Sequence, residues 1–349
     1  MNWPEADQPL AWFGGRLAVD LAEVTSDPSA LDSDGWWAVV LTFEGELTCA
    51  RFADVRRTPL PVGRWAPAAG SWGSSLARGD YLAAVAHVRE QIATGEVYQV
   101  NVCRVLSAPA PAGGSPLGLA NVLAKGNPAP YAGVVQIPSS DVAVVSASPE
   151  LFVRRDGDLI ESRPIKGTGR TPVDLTSKDR AENVMIVDLV RNDLGVVCRS
   201  GSIQVPKLCD VEEHPGLVHL VSTVAGRLRP DVSWADVLAA AFPPGSVSGA
   251  PKSSALRIIS ELEPVPRGPY CGAIGWVDAD NKQACLAVGI RSFWWDGPLL
   301  RFGTGAGITW GSDADAEWDE TELKAQRLIA LAARTTSMPA GTASGGSFA

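Results

Sequence analysis

Acidic residues recur at helical spacing in two places along the chain. Asp179 and Glu182 stand three apart in "SKDRAENVMIVDLVRNDLG", and Glu317, Glu320 and Lys324 fall at i, i+3 and i+7 in "DADAEWDETELKAQRLIALAAR". Residues at these intervals share one face of a helix, so each segment presents its acids together. Carboxylates drawn from two helices suit Mg²⁺, which takes few protein oxygens and keeps waters for its substrate. The same spacing also describes a solvated charged face laced with helical ion pairs, the commoner arrangement. Spacing permits a metal site without showing one.

A basic residue with chemical potential lies in "ESRPIKGTGR", residues 161–170, where Pro164, Lys166 and Gly167 have no apolar periodicity around them. Gly and Pro in such a run read as a loop or tight turn. Lys166 taken alone is then a solvated surface lysine. The glycines of "FGTGAGI" (Gly303, Gly305, Gly307) would let backbone amides approach an anion. That stretch and "GSVSGAPK" both lack the G-K-[ST] ending of a phosphate loop, and the first continues as strand instead of opening a helix. Nucleotide binding is disfavoured. Hydrolase chemistry also lacks support, with no G-x-S-x-G and three histidines, His87, His214 and His219.

The elements that must position these groups follow from periodicity. "GWWAVVLTFEGELTCARFADV" reads as a hairpin turning near Glu44 and Gly45, and residues 80–94 as a helix stopped by Gly95. Strand-like runs follow through "VYQVNVCRVLS", "YAGVVQI", "DVAVVSAS" and "LFVRRDGDLIES". The helix over 177–195 takes Ser177 as N-cap and ends at Gly195. "SWADVLAAAF", "APKSSALRIISELE" and the final acidic segment are helices, and "CGAIGWVD", "ACLAVGIRSFWW" and "LLRFGTGAGITW" are strands. Long β-runs mixed with several helices, without regular βαβ alternation, indicate an α+β fold with large sheets. The tail, residues 335–349, is small and polar and is expected to be disordered.

With 349 residues, 46% hydrophobic and 20% charged, the chain can bury a large core. Its net charge of −9, with no basic stripe, argues against nucleic-acid binding, and an anionic substrate would need a local metal ion or arginine to hold it. Six cysteines without a C-x-x-C pair lie inside apolar runs, as reduced buried thiols do. No apolar stretch is long enough to span a membrane and no signal peptide is visible, which reads as a cytoplasmic protein.

The motifs "GEVYQVNVCR", "SPELF", "RPIKGTGR", "DRAENVMIVDLVRNDLG", "VHLVSTVAG", "FPPGSVSGAPK", "PYCGAIG" and "GAGITWGSDADAEWDETELKA" occur in this order. Their succession resembles the chorismate-utilising enzymes, a family that includes anthranilate, aminodeoxychorismate, isochorismate and salicylate synthases. The resemblance implies an α+β domain in which two large antiparallel β-sheets pack together with helices outside. It places the catalytic core over residues 78–334, with residues 1–77 a shortened N-terminal portion adding strands to the same domain. No tryptophan site is carried over to that portion.

Residue by residue, the resemblance implies Mg²⁺ ligation by Glu182 and Glu320, with Asp179 and Glu317 as companions. It assigns Tyr270, Arg291, Lys324 and the amides around Gly305 and Gly307 to the enolpyruvyl carboxylate, and Gly167, Thr168 and His219 to the ring and its C4 hydroxyl. Two positions sort the family. Water-adding members have a lysine base where this chain has Gln99, and an amide takes no proton from water. Anthranilate synthases have alanine where Lys166 stands, whereas aminodeoxychorismate synthases have lysine. By resemblance, Lys166 is the nucleophile and Glu150 the general acid of an ammonia-using synthase that makes 4-amino-4-deoxychorismate. No G-x-C-x-G glutaminase motif is present, so ammonia would come from a separate glutamine amidotransferase subunit. The alternatives are an anthranilate synthase component and a catalytically silent chorismate-binding subunit.

Overall fold

The computed structural model describes residues 8–334 apart from residues 69, 170, 215 and 216. In chain order the first elements are β1 (Leu10–Phe13), β2 (Arg16–Thr25), β3 (Trp36–Leu41), β4 (Leu47–Arg57), β5 (Gly73–Ser74) and helix α1 (Arg78–Ala93). Next come β6 (Gln99–Pro109), α2 (Pro116–Gly126), β7 (Tyr131–Ile137), β8 (Val142–Ser148), β9 (Leu151–Asp156), β10 (Leu159–Arg163) and β11 (Ile165–Gly169). They are followed by α3 (Ser177–Val197), β12 (Gln204–His214), β13 (Leu217–Arg227), α4 (Trp234–Ala241), β14 (Gly249–Ala250) and α5 (Lys252–Leu262). The last are β15 (Ala273–Asp278), β16 (Gln283–Val288), β17 (Ser292–Asp296), β18 (Leu299–Ile308) and α6 (Ala314–Ala332).

The expected α+β class holds. All strand pairs are antiparallel, and the two expected sheets are arms of one continuous ladder joined at the β1–β2 corner. One arm runs β1–β7–β8–β17–β18–β6, with β5 and β14 on the far edge of β6. The other runs β2–β4–β3–β15–β16–β9–β10–β13, where β13 also pairs with β11 and β12. Alternation along the strands divides their side chains between two faces. Val135, Ile137 and Val144 of the first arm share one buried core with Val39, Ile274, Leu286 and Val153 of the second. Their neighbours Val134 and Val145 point the other way, into a cluster with Leu123 of α2 and Leu328 of α6. The helices thus cover the outside and hold the acidic segments over the sheet ends. Among the described residues no helix is long and apolar enough to cross a membrane.

Three local expectations are corrected. "RPIKGTGR" is not a turn: residues 165–169 form β11, continuing β10 along β13 after Pro164. Its glycines mark a bulge instead, because the four residues Ile165 to Thr168 stand against only three, Val221 to His219, on the partner, and Gly167 has φ +86°. The N-cap of α3 is Thr176, one residue early, because it closes a reciprocal capping box with Asp179. Gly195 does not end α3, which runs on to Val197 because Leu194 and Val197 are buried in the core. The six thiols are free, with Cys209 and Cys285 only partly buried. The tail call, residues 335–349, lies outside the described residues.

Candidate active site

The bulge in β11 turns Lys166 inward. Its Nζ donates to the Ser246 carbonyl at 3.2 Å. A methyl group added at Gly307 would stand 3.2 Å from that Nζ and 2.4 Å from Gln99 Nε2, so lysine, carboxamide and glycine meet at one point. Burial holds the Lys166 amine below the ordinary lysine range and the Lys324 charge adds to this, against the pull of Glu182, Glu150 and Glu320. A lysine in this setting keeps a larger neutral fraction, the form that acts as a nucleophile.

Glu150 sits between β8 and β9 and is 4% exposed. Burial pushes its carboxyl up to about 7, although a Ser246 hydrogen bond and the Lys166 charge work the other way. Glu150 is therefore protonated over a range where an ordinary glutamate is not. Gln99 is fully buried, and neither its amide nitrogen nor its oxygen has a hydrogen-bond partner. Such a group is costly unless something in the site uses it.

The acids of α3 and α6 converge around lysines. Lys178 Nζ lies 3.7 Å from Glu182 and 3.8 Å from Glu317, too far for hydrogen bonds. Burial raises Glu182 and Glu317 above the usual carboxylate range, and each is also raised by Glu320 nearby. Glu320 is also pushed up by burial, but the charge and hydrogen bond of Lys324, 2.6 Å away, outweigh this and hold it low. Asp179 is committed elsewhere: its Oδ2 accepts from the Thr176 backbone at 2.8 Å and from the Thr176 hydroxyl at 2.7 Å. As placed, no three His, Cys, Asp or Glu side chains among the described residues stand together at metal-ligand spacing. The donor set is nevertheless all oxygen and mutually repelling, with Glu182 and Glu317 only loosely countered by Lys178 and Glu320 held by Lys324. Oxygen donors of this kind suit a hard divalent cation.

Backbone geometry makes the Gly305 edge available. β17 covers β18 only as far as Phe302, while β6 pairs with it through Ile308. Cys103, opposite Gly305, gives its N–H to Glu263 at 2.9 Å, and Asn101, opposite Gly307, gives its N–H to Ser248 at 2.8 Å. Both glycines therefore belong to non-hydrogen-bonded pairs, and their own N–H and C=O groups face the uncovered edge. The Gly305 carbonyl accepts from Lys324 at 3.1 Å. Tyr270 lies buried with its ring on Gly303, where a methyl group would fall 2.0 Å from Cγ. Arg291, held at φ +53°, has its charge disfavoured by burial and by Arg327 and favoured by Glu150. His219 is 2% exposed and is the backbone partner of Thr168.

The profile of the chorismate binding enzymes matches residues 44–330. The chain belongs to that family. It is 41% identical over 331 residues to anthranilate synthase component 1 1 of Haloarcula marismortui, covering 91% of this chain and 60% of that protein. It is 37% identical over 294 residues to aminodeoxychorismate synthase component 1 of Klebsiella aerogenes, covering 80% of this chain and 64% of that protein. The chain thus spans less than two thirds of the length of these relatives. The fold matches anthranilate synthase component I of Streptococcus pneumoniae TIGR4 with a TM-score of 0.76 at 23% identity, over 94% of this chain and 93% of that one.

Two residues of this family site escaped the sequence reading. Ser246 bonds both Lys166 and Glu150, and although its stretch is one of the family motifs, no role follows for this serine from the sequence. Lys178 stands four residues before Glu182 on α3, an interval readable in the chain, whereas only the fold brings Glu317 to its other side.

Proposed function

We propose that the protein is the chorismate-converting component of an aminodeoxychorismate synthase, forming 4-amino-4-deoxychorismate from chorismate and ammonia. The observation that carries this reading is the Lys166 amine. It is turned inward beside a bulge and partly buried, kept below its ordinary pKa, and placed within electrostatic reach of the protonated Glu150.

In the reaction Lys166 attacks C2 of the ring as a free amine. The two conjugated ring π pairs shift in turn, C1=C2 to C1=C6 and C5=C6 to C4=C5. The C4–O bond breaks, and the Glu150 proton leaves with the hydroxyl as water. Ammonia then forms a bond at C4, both π pairs shift back, the Lys166 C2–N bond breaks to restore the amine, and the new C4 ammonium returns a proton to the Glu150 carboxylate. Gln99, beside the same point, has no basic site with which to activate water, which favours ammonia over water as the second nucleophile. The Gly305 and Gly307 N–H groups, Lys324 and Arg291 would receive the enolpyruvyl carboxylate. Mg²⁺ would be held by Glu182, Glu317 and Glu320, with the remaining Asp179 oxygen nearby, and when bound supplies positive charge for the ring carboxylate. Ammonia would be delivered by a separate glutamine amidotransferase subunit, and a lyase would carry the product to p-aminobenzoate.

The anthranilate reading keeps support from relatives bearing that name. The two are separated by incubating the protein with chorismate, Mg²⁺ and ammonium, with and without a lyase acting on aminodeoxychorismate. p-Aminobenzoate that appears only with the lyase supports the proposal. Anthranilate formed directly overturns it in favour of the second reading, and no turnover, even with a glutaminase partner, indicates a silent subunit.

A further inference from the structure

Arg104 is 2% exposed and lies on the β6 face opposite its neighbour Cys103, which is buried in the core. An arginine this deep is unfavourable unless its donors are used, and here each nitrogen is. Nε donates to the Thr321 hydroxyl at 3.0 Å, one terminal nitrogen to the Ser74 hydroxyl at 3.2 Å, and the other to the Glu322 carboxylate. The guanidinium also lies 4.1 Å from the Trp318 ring centroid. Its direct cross-strand partner is Thr304, whose hydroxyl donates to the Thr321 carbonyl at 2.8 Å. The Thr321 hydroxyl itself donates to Trp318 O at 2.8 Å, so Thr321 is bonded from both strands and is fully buried.

This polar knot stands between the two halves of the proposed anion site. Thr304 precedes Gly305 on β18, and Thr321 follows Glu320 on α6. Beyond Lys324 the other directional bonds of α6 lie toward its C-terminal end, at Arg327 to the Gly126 carbonyl (2.6 Å) and at the Ala332 carbonyl from Trp65 (2.8 Å). It otherwise packs there through Ala325, Leu328 and Leu331, apolar contacts that tolerate small slides or rotations. Directional bonds at Thr321 do not. We propose that Arg104 is a positioning residue: with Thr304 it locks α6 at Thr321, so that Glu317, Glu320 and Lys324 meet the Gly305 edge in fixed register. The inference rests on the proposed use of those residues for Mg²⁺ and chorismate.

The test is calorimetric titration of the whole protein with Mg²⁺ and with chorismate, alongside thermal unfolding. Arg104→Met should weaken Mg²⁺ binding by about 10- to 100-fold, the range for removing a group that orients metal ligands. Arg104→Lys should recover part of the loss. Arg78→Ala cuts an exposed ion pair between α1 and α6, with Asp315, and should leave both affinities unchanged. If Arg104→Met does not fold, Thr321→Val decides, with an expected loss of about 10-fold for one buried bonded hydroxyl. Wild-type affinities retained in folded Arg104→Met, or in Thr321→Val when that variant is the one that folds, would overturn the inference alone. A wild type that binds neither ligand would overturn it together with the function beneath it.

Discussion

Lys166 and Lys324 both act on Glu320 from opposite elements, and their surroundings prepare them for opposite work. Lys324, on the half-exposed side of α6, is bonded to Glu320 at 2.6 Å and to the Gly305 carbonyl at 3.1 Å. Both partners stabilise an ammonium. Lys166 comes from the bulge of β11, has one neutral carbonyl partner at 3.2 Å, and is driven toward the free amine by burial. Chemistry follows from environment: one lysine is a fixed charge and the other a nucleophile. Family resemblance names both residues as functional, but only the packing explains why exchanging their roles would fail.

Substitutions that keep charge while removing nucleophilicity break the comparison most severely. Lys166→Arg stays cationic, so product formation should fall by about 10⁴-fold or more, as when a catalytic nucleophile is lost, with chorismate binding retained. Lys166→Ala should do the same. Steady-state rates and chorismate titrations of both variants check this. Glu150→Gln should cost about 10²- to 10⁴-fold in kcat. The wild-type rate should decline as pH rises through about 7, where Glu150 loses its proton, and the residual rate of Glu150→Gln should lack that decline. At position 324 charge alone is needed: Lys324→Met should raise KM for chorismate by about 10- to 100-fold, and Lys324→Arg should restore most of it.

The smallest effect is on stability. Burial raises Glu150 in the folded protein from 4.5 to about 7, so its protonated form is favoured on folding. The stability this contributes is complete below the unfolded pKa and is lost as pH rises through the folded one. Relative to Glu150→Gln, the wild type should therefore lose up to about 3 kcal/mol between pH 4.5 and pH 8, measured by denaturant unfolding at each pH.

Much of this site was legible in the chain because helical spacing is a local property. The acids of α3 and α6 could be placed on shared faces from their intervals alone, and the hairpin β3–β4 from its alternation. The strand β11 was not legible. Its Pro and Gly residues are turn formers, and only pairing with β13, about fifty residues later, makes the segment a bulged strand. The capping role of Asp179 is a local signal, since Thr176 stands three residues before it, but Ser177 is an equally good N-cap by residue type and only the backbone of α3 decides between them. The orphaned Gln99 carboxamide and the knot at Thr321 depend on contacts between distant segments. Sequence intervals carry no trace of those.

The central claim is that the Lys166 amine bonds to the chorismate ring. Its most direct test is intact-protein mass measurement, with peptide mapping, after incubation with chorismate and Mg²⁺ without ammonia. A covalent addition equal to chorismate less one water, located on Lys166 and discharged on adding ammonium, is the predicted result. An unmodified Lys166 in protein that turns chorismate over once ammonium is supplied would contradict it.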